Sequence, residues 1–295
     1  MINMQASAET NPVTAKVLLD LEQITETRFR SNRNLDNLLG AVFGGQLLGQ
    51  AVEAARRTVP QWPIHSCSSY FLRKVAVNVP IDYDVECTRD GRRFATRRVV
   101  ASQASKKVFD LLSSFHDAET SFAHQLGGLG DVPAPETLLS MREYIQSQAH
   151  RLPAQQVALY CTPFPIELRP LDPEALFFGE GDHAPRIVWF RVPTAAHMED
   201  LRDHQSLLAF MSDYWLAGAA GAPHRASTNT RSPLAVASQN HSMWFHNSAR
   251  TDQWLLYRTE SPWAGEGRGL ASGSIYDRDG TLIASAVQEV SMRLG

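Results

Sequence analysis

Cysteine is scarce in this sequence, and its scarcity narrows what the chain can be. The 295 residues hold three, Cys67, Cys87 and Cys161, far apart and in no C-x-x-C pair. An odd, sparse set offers neither a disulfide framework nor zinc-ligand spacing, and fits a reducing compartment. No apolar run approaches the roughly 20 residues of a membrane span. The first sixteen residues are polar and expected to be loose, with neither the basic start nor the apolar block of a secretory leader. Met292-Arg293-Leu294-Gly295 is not an SKL-type peroxisomal address. Neither sign of charge dominates: 28 Lys and Arg stand against 31 Asp and Glu. That balance suits neither a nucleic-acid binder nor an acid-rich disordered chain. Also missing are G-x-S-x-G, H-E-x-x-H, a P-loop and G-x-G-x-x-G. The expectation is a soluble, cytoplasmic globular protein without a metal, of one large domain or two of ordinary size. Its 43% hydrophobic content is enough for a sizeable core.

What is present centres on Phe43 to Pro60, FGGQLLGQAVEAARRTVP. Gly44 and Gly45 break regular structure before it and Pro60 stops it. Between them Leu47, Leu48, Ala51, Val52 and Ala55 recur at spacings of three and four, which predicts a helix with one slim apolar face. Arg56 and Arg57 suit the negative end of its dipole. Its first N–H groups would point at whatever binds there.

Strands surround this helix. Residues 17–30 predict an opening strand, and 64–73 a strand after the helix. Residues 81–88, IDYDVECT, alternate with Ile81, Tyr83, Val85 and Cys87 on one face. Asp90-Gly91 marks a hairpin, with return strands at 93–102 and 107–116. From residue 118 to 165 the pattern is broken by glycines and prolines (Gly127, Gly128, Gly130, Pro133, Pro135, Pro153, Pro163, Pro165), with one helical piece around 136–150. The pattern then returns: strands at 166–170 and 186–192, a helix at 203–217, strands at 241–246, 253–260 and 268–277, an Asp279-Gly280 turn and a closing strand at 281–293. His65-Ser66 and His241-Ser242 open matching strands. Such internal repetition of a helix wrapped by antiparallel strands predicts an α+β fold, a double hotdog. Its parts are an N-terminal hotdog at 1–125, a linker at 126–162 and a C-terminal hotdog at 163–295.

Three polar sites interrupt apolar patterns. Asp213 lies on a helix bearing Leu207, Leu208, Phe210, Met211, Tyr214, Trp215 and Leu216, where a carboxylate must be paired, bonded or functional. Gln288 shares a strand face with Ala284, Ala286, Val290 and Met292, so it points inward. Ser238-Gln239-Asn240-His241 enters a strand. His241 invites a general-base reading, although a strand histidine with a satisfied hydrogen bond is the commoner case. A basic set, Lys74, Arg92, Arg93, Arg97, Arg98, Lys106 and Lys107, could meet the phosphates of a nucleotide tail or simply line a solvated sheet edge.

FGGQLLGQAVEAA, HSCSSYFLR, DVECTRDGRRFATRRVVASQ, LLAFMSDYWL, NHSMWFH, WLLYRTES and DGTLIASAVQEVSMR, in this order from about Leu18 to Arg293, resemble the acyl-CoA thioesterase II family. The resemblance implies a double hotdog that hydrolyses acyl-CoA to free acid and CoA without a cofactor or covalent intermediate. It implies that Asp213, Ser238 and Gln288 hold the attacking water, Asp213 as base. Gly45, Gln46 and His241 complete the expected site as substrate-contacting residues, the first two through backbone N–H groups toward the thioester oxygen. A homo-oligomer is expected. Two departures stand out. The family's LDHS is Gln239-Asn240-His241-Ser242 here, and its FLRPG is Phe71-Leu72-Arg73-Lys74-Val75. Trp215 and Trp263 add bulk. These differences keep open a specialised thioesterase on a carrier-bound acyl chain, a hotdog hydratase or dehydratase, and a non-catalytic acyl-CoA binding module.

Overall fold

Thirteen antiparallel strands join in one continuous sheet in the computed structural model of the chain, which describes residues 13–36, 40–179, 185–227 and 234–294. In the first half, α1 (Ala15–Leu18), β1 (Glu22–Gln23) and β2 (Arg28–Ser31) precede the long helix α2 (Gly44–Arg57). Four strands follow: β3 (Ile64–Phe71), β4 (Ile81–Asp90), β5 (Phe94–Gln103) and β6 (Lys106–His116). The connection carries α3 (Met141–Ser147) and α4 (Ala154–Cys161). The second half runs β7 (Glu167–Pro170), α5 (Pro173–Phe178), β8 (Arg186–Arg191) and the long helix α6 (Leu201–Gly221). It closes with β9 (Leu234–Ser238), β10 (Asn240–Phe245), β11 (Leu255–Gly265), β12 (Arg268–Tyr276) and β13 (Leu282–Leu294).

The sheet order is β1-β2-β4-β5-β6-β3-β10-β13-β12-β11-β8-β7, with β9 added on β13. Exchanging β3 for β10, β6 for β13, β5 for β12 and β4 for β11 maps the central order onto itself. The halves therefore meet as equivalents across the β3–β10 pair, where Ser242 lies opposite Ser68. This is the expected α+β double hotdog. Alternation along the strands sends Tyr83, Phe109, Leu111, Phe115, Tyr257 and Ile275 inward, all essentially without solvent exposure.

Several local expectations change. Residues 15–18 form a helical turn, because the alternation that makes a strand starts only at Arg28. Of the first sixteen residues, 1–12 lie outside the described residues. Cys87 does not continue the buried row of Ile81, Tyr83 and Val85: the register shifts between Cys87 and Arg89, and Glu86 to Asp90 run exposed past the core. The connection is more ordered than one helical piece. In α3 a capping box links Ser140 and Glu143, which satisfies the first free N–H groups of that helix. The strand β9 has no counterpart among the expected elements.

Helices α2 and α6 fill the space inside the curved sheet and run antiparallel. Gly44 lies against Asp213, Gly49 against Phe210, and Arg56 pairs with Asp203. At the far end of this contact Glu53, 2% exposed, takes Arg56, Arg57 and the Ser206 hydroxyl. Glycine is what allows the close approach. A Cβ on Gly45 would stand 2.3 Å from the Phe210 carbonyl oxygen and 2.3 Å from the Phe43 ring. Alanine normally gains about 1 kcal/mol over glycine in a helix. Here the obstacle is backbone and cannot swing away, so crowding wins. Gly45→Ala is expected to lower stability by about 1–3 kcal/mol and to reduce activity by displacing the start of α2. Urea denaturation checks the first effect; an unchanged midpoint would mean that the helices are not held at this distance.

Candidate active site

The site grows from three elements that the fold brings to the start of α2. Helix α6 supplies Asp213, 6% exposed. The closing strand β13 supplies Gln288, whose face-mates Ala284, Ala286 and Val290 are all buried, so the amide points into the interior. Strand β9 pairs with β13, Ser238 lying opposite Val290, and this sets the Ser238 hydroxyl beside Gln288. The Gln288 amide nitrogen donates to Asp213 Oδ1 at 2.9 Å and to Ser238 Oγ at 2.5 Å. Ser238 Oγ itself stands 3.4 Å from the same carboxylate oxygen. Ser238 is the partly exposed member of the three, so the triangle is open on its side.

The other carboxylate oxygen faces α2. A Cβ on Gly44 would fall 2.7 Å from Asp213 Oδ2, and the Gly45 N–H bonds the carboxylate. Asp213 thus caps the first turn of a helix in the opposite half, where the free N–H groups and the dipole favour an anion. Burial acts the other way and is stronger: desolvation pushes the Asp213 carboxyl up to about 6, while the bonds from Gln288, Ser238 and Gly45 hold it down. A carboxylate poised there can take a proton near neutral pH.

The remaining expected site residues play other parts. Gln46 does not offer a free backbone N–H, which donates to Phe43 O at 3.0 Å. Its buried side chain accepts from Leu35 N–H at 2.7 Å and donates to Arg33 O at 2.8 Å, pinning the segment ahead of the helix. The Gly45 N–H bonds the Asp213 carboxylate. His241 is fully buried and both ring nitrogens are occupied, by Gln288 and Ser212, so it stands behind Gln288. Three of the seven basic residues are committed: Arg97 is buried on Thr58 and Asp90, Arg98 pairs with Asp110, and Arg93 with Glu119. Asn240, where the family pattern has an acid, uses its amide oxygen to accept the Glu289 N–H at 3.0 Å. A neutral acceptor is enough for that bond. The altered 71–75 stretch is also tied down, with Phe71 N–H on Gln239 O and Val42 N–H on Val75 O. Trp263 is 45% exposed beside Arg268.

Sequence reading passed over Ser212 and Tyr257. A serine on a crowded helix and a tyrosine on a buried strand face carry no signal beyond polarity in an apolar row. A cavity of about 420 Å3 on the linker side is lined in part by Tyr160, Phe164 and Tyr214, the last next to Asp213 in the chain. Among the described residues no three His, Cys, Asp or Glu side chains gather as a metal site would need.

Fold and site together define a double hotdog hydrolase with a buried carboxylate–amide–hydroxyl cluster. The acyl-CoA thioesterase N-terminal domain model matches residues 35–116 and the acyl-CoA thioesterase C-terminal domain model residues 135–292. The chain is 33% identical to mouse acyl-coenzyme A thioesterase 8, covering 98% of this chain and 91% of that one. It is 35% identical to acyl-CoA thioesterase 2 of Haemophilus influenzae, covering 94% and 96%. The crystal structure of an acyl-CoA thioesterase II from Mycobacterium marinum superposes with a TM-score of 0.76 at 33% identity over 95% of this chain and 97% of that chain. The chain belongs to the acyl-CoA thioesterase II family.

The raised Asp213 pKa has a thermodynamic consequence. The folded state binds this proton more tightly than the unfolded chain, whose carboxyl has the ordinary 3.8. Ionised Asp213 therefore costs stability above about pH 6, and the cost is relieved as pH falls through 6 toward 3.8. Relative to the wild type, Asp213→Asn is expected to gain roughly 2–2.5 kcal/mol between pH 4 and pH 7. Paired denaturation curves across that range check it; parallel pH profiles would show that Asp213 is not titrating in this interval.

Proposed function

We propose that this acyl-CoA thioester hydrolase works through a single water molecule directed by Asp213, Ser238 and Gln288, with no acyl-enzyme intermediate and no added cofactor. The observation that carries this reading is the shared oxygen: Asp213 Oδ1 lies within 3.4 Å of Ser238 Oγ and 2.9 Å of the Gln288 nitrogen. A water entering from the Ser238 side meets a base and two groups that fix its direction. Asp213 accepts one water proton as the oxygen attacks the thioester carbonyl carbon. Ser238 and Gln288 supply positioning. The tetrahedral adduct then breaks its C–S bond, and the proton held by Asp213 goes to the departing CoA thiolate. Free acid and CoA result, and the carboxylate is restored.

The hydratase alternative needs a histidine that reaches substrate. His241 has no solvent exposure and no free ring nitrogen, which argues against that role. The cavity beside Tyr214 supports a path for part of the substrate along the linker side. We also assign the chain to fatty acyl metabolism in a cytoplasmic setting. The low cysteine content supports that compartment. A homo-oligomer is supported by Tyr70, Leu112 and Trp244, which are 60%, 51% and 42% exposed on the outer face of the central strands.

Release of CoA thiol from short-, medium- and long-chain acyl-CoAs tests the mechanism. Asp213→Asn is expected to lower kcat by about 10²–10⁴-fold. Gln288→Ala and Ser238→Ala should lower it less. Turnover by Asp213→Asn equal to the wild type on every cleaved substrate would remove the base from the mechanism.

A further inference from the structure

One end of the Gln288 amide is held by Asp213 and Ser238; the other is held from behind. Gln288 Oε1 faces His241 Nδ1 at 3.1 Å, and the Nε2 of the same ring faces the Ser212 hydroxyl at 2.9 Å. Ser212, His241 and Gln288 are all fully buried. Ser212 precedes Asp213 on α6, and its carbonyl accepts the Tyr257 O–H at 2.7 Å, which fixes this turn of the helix to the sheet.

The hydrogens in this chain follow by elimination. An ionised carboxylate only accepts, so the nitrogen end of the Gln288 amide faces Asp213 and the oxygen end faces His241. An amide oxygen also only accepts, so His241 carries its hydrogen on Nδ1. The ring is neutral, because burial pulls its pKa down to about 4. Nε2 is therefore bare and accepts the Ser212 O–H. That hydroxyl has another acceptor within reach, the Ala209 carbonyl at 2.9 Å. If it turned there, His241 would need its hydrogen on Nε2. A bare Nδ1 would then call for the amide to turn over, with Gln288 Oε1 against the Asp213 carboxylate.

We propose that His241 and Ser212 are positioning residues for the hydrolysis, holding the Gln288 amide with its N–H groups toward Asp213 and Ser238. The chain of donors runs Ser212 O–H to His241, His241 Nδ1–H to Gln288, and Gln288 N–H to Asp213. It rests on Asp213 being the base and adds two residues that touch no substrate. Its effect is to keep the carboxylate ionised and aimed. The groups facing Asp213 are Gln288 from β13, Ser238 from β9, the Gly45 N–H from α2 and the Tyr257 phenol from β11, with His241 of β10 acting through Gln288.

Two substitutions at one position separate this role from simple packing. Asparagine carries its amide nitrogen where Nδ1 stands and can still donate to Gln288; glutamine carries its nitrogen where Nε2 stands and cannot. His241→Asn is expected to keep kcat within about threefold, whereas His241→Gln loses about 10²-fold in kcat with KM little changed. The acid limb of the rate profile should move to higher pH in His241→Gln. Equal kcat values and equal limbs for the two variants would overturn the proposal. Ser212→Ala, a one-atom deletion, covers the case in which His241→Gln does not fold. It should lower kcat about tenfold and raise the same limb, and unchanged values of both would overturn the proposal. NMR of ring-15N-histidine protein should show hydrogen on Nδ1 of His241; hydrogen on Nε2 would contradict the donor chain. Wild-type turnover by Asp213→Asn would remove the base and the proposal together. An inactive Asp213→Asn beside fully active His241→Gln and Ser212→Ala would remove only the proposal.

Discussion

The structure depends on one buried carboxylate that joins its two halves. Asp213 sits on the helix of the second hotdog and caps the helix of the first. Placing a charge there is expensive, and the protein offsets the cost with three kinds of donor: a helix-start N–H, a strand amide and a hydroxyl at a strand end. None of these alone overcomes desolvation, since the carboxyl remains well above its ordinary value. Under the proposed mechanism that imbalance is useful. A fully stabilised carboxylate would be a poor base, and an unstabilised one would stay protonated.

The close helix contact is what makes this arrangement possible. Gly44, Gly45 and Gly49 remove side-chain bulk along one edge of α2, so the backbone of α2 can reach α6. The opposite end of the same contact carries the same kind of group with a different outcome. Glu53 is as buried as Asp213, yet Arg56 and Arg57 neutralise it directly. A carboxylate held in ion pairs stabilises the packing of α2 on α6 and has its charge matched by two guanidinium groups, which Asp213 lacks among the described residues. The two halves thus use a buried acid once as a clamp and once, under the proposed mechanism, as the base.

The departures from the family pattern take on a physical meaning in this frame. Asn240 replaces an acid at a place where a single backbone N–H must be accepted, and an amide oxygen does that without a charge. The 71–75 stretch lacks its proline and glycine, yet backbone bonds from both neighbouring segments hold it. Both changes fall outside the Asp213–Ser238–Gln288 contacts. Of the arginines that suggested a phosphate-binding strip, Arg97 and Arg98 pair across neighbouring strands and Arg93 pairs with Glu119, so their charge is already matched.

The sequence by itself determined the alternation that orients each strand, the glycine entry and proline exit of α2, and the oddity of Asp213 and Gln288. A polar residue at the wrong phase of a regular pattern is visible because period and burial are coupled along one element. Only the tertiary structure decided which polar groups meet. Gln288 and Asp213 are 75 residues apart in the chain, and Gln288 and Ser238 are 50 apart. The second contact needs β9 to add to β13, a short strand with no pattern of its own. The inward turn of His241, the anchoring role of Gln46 and the use of Ser212 were beyond sequence for the same reason. A hydrogen bond depends on where two elements stand to within a fraction of an ångström, and local spacing carries no information about that distance.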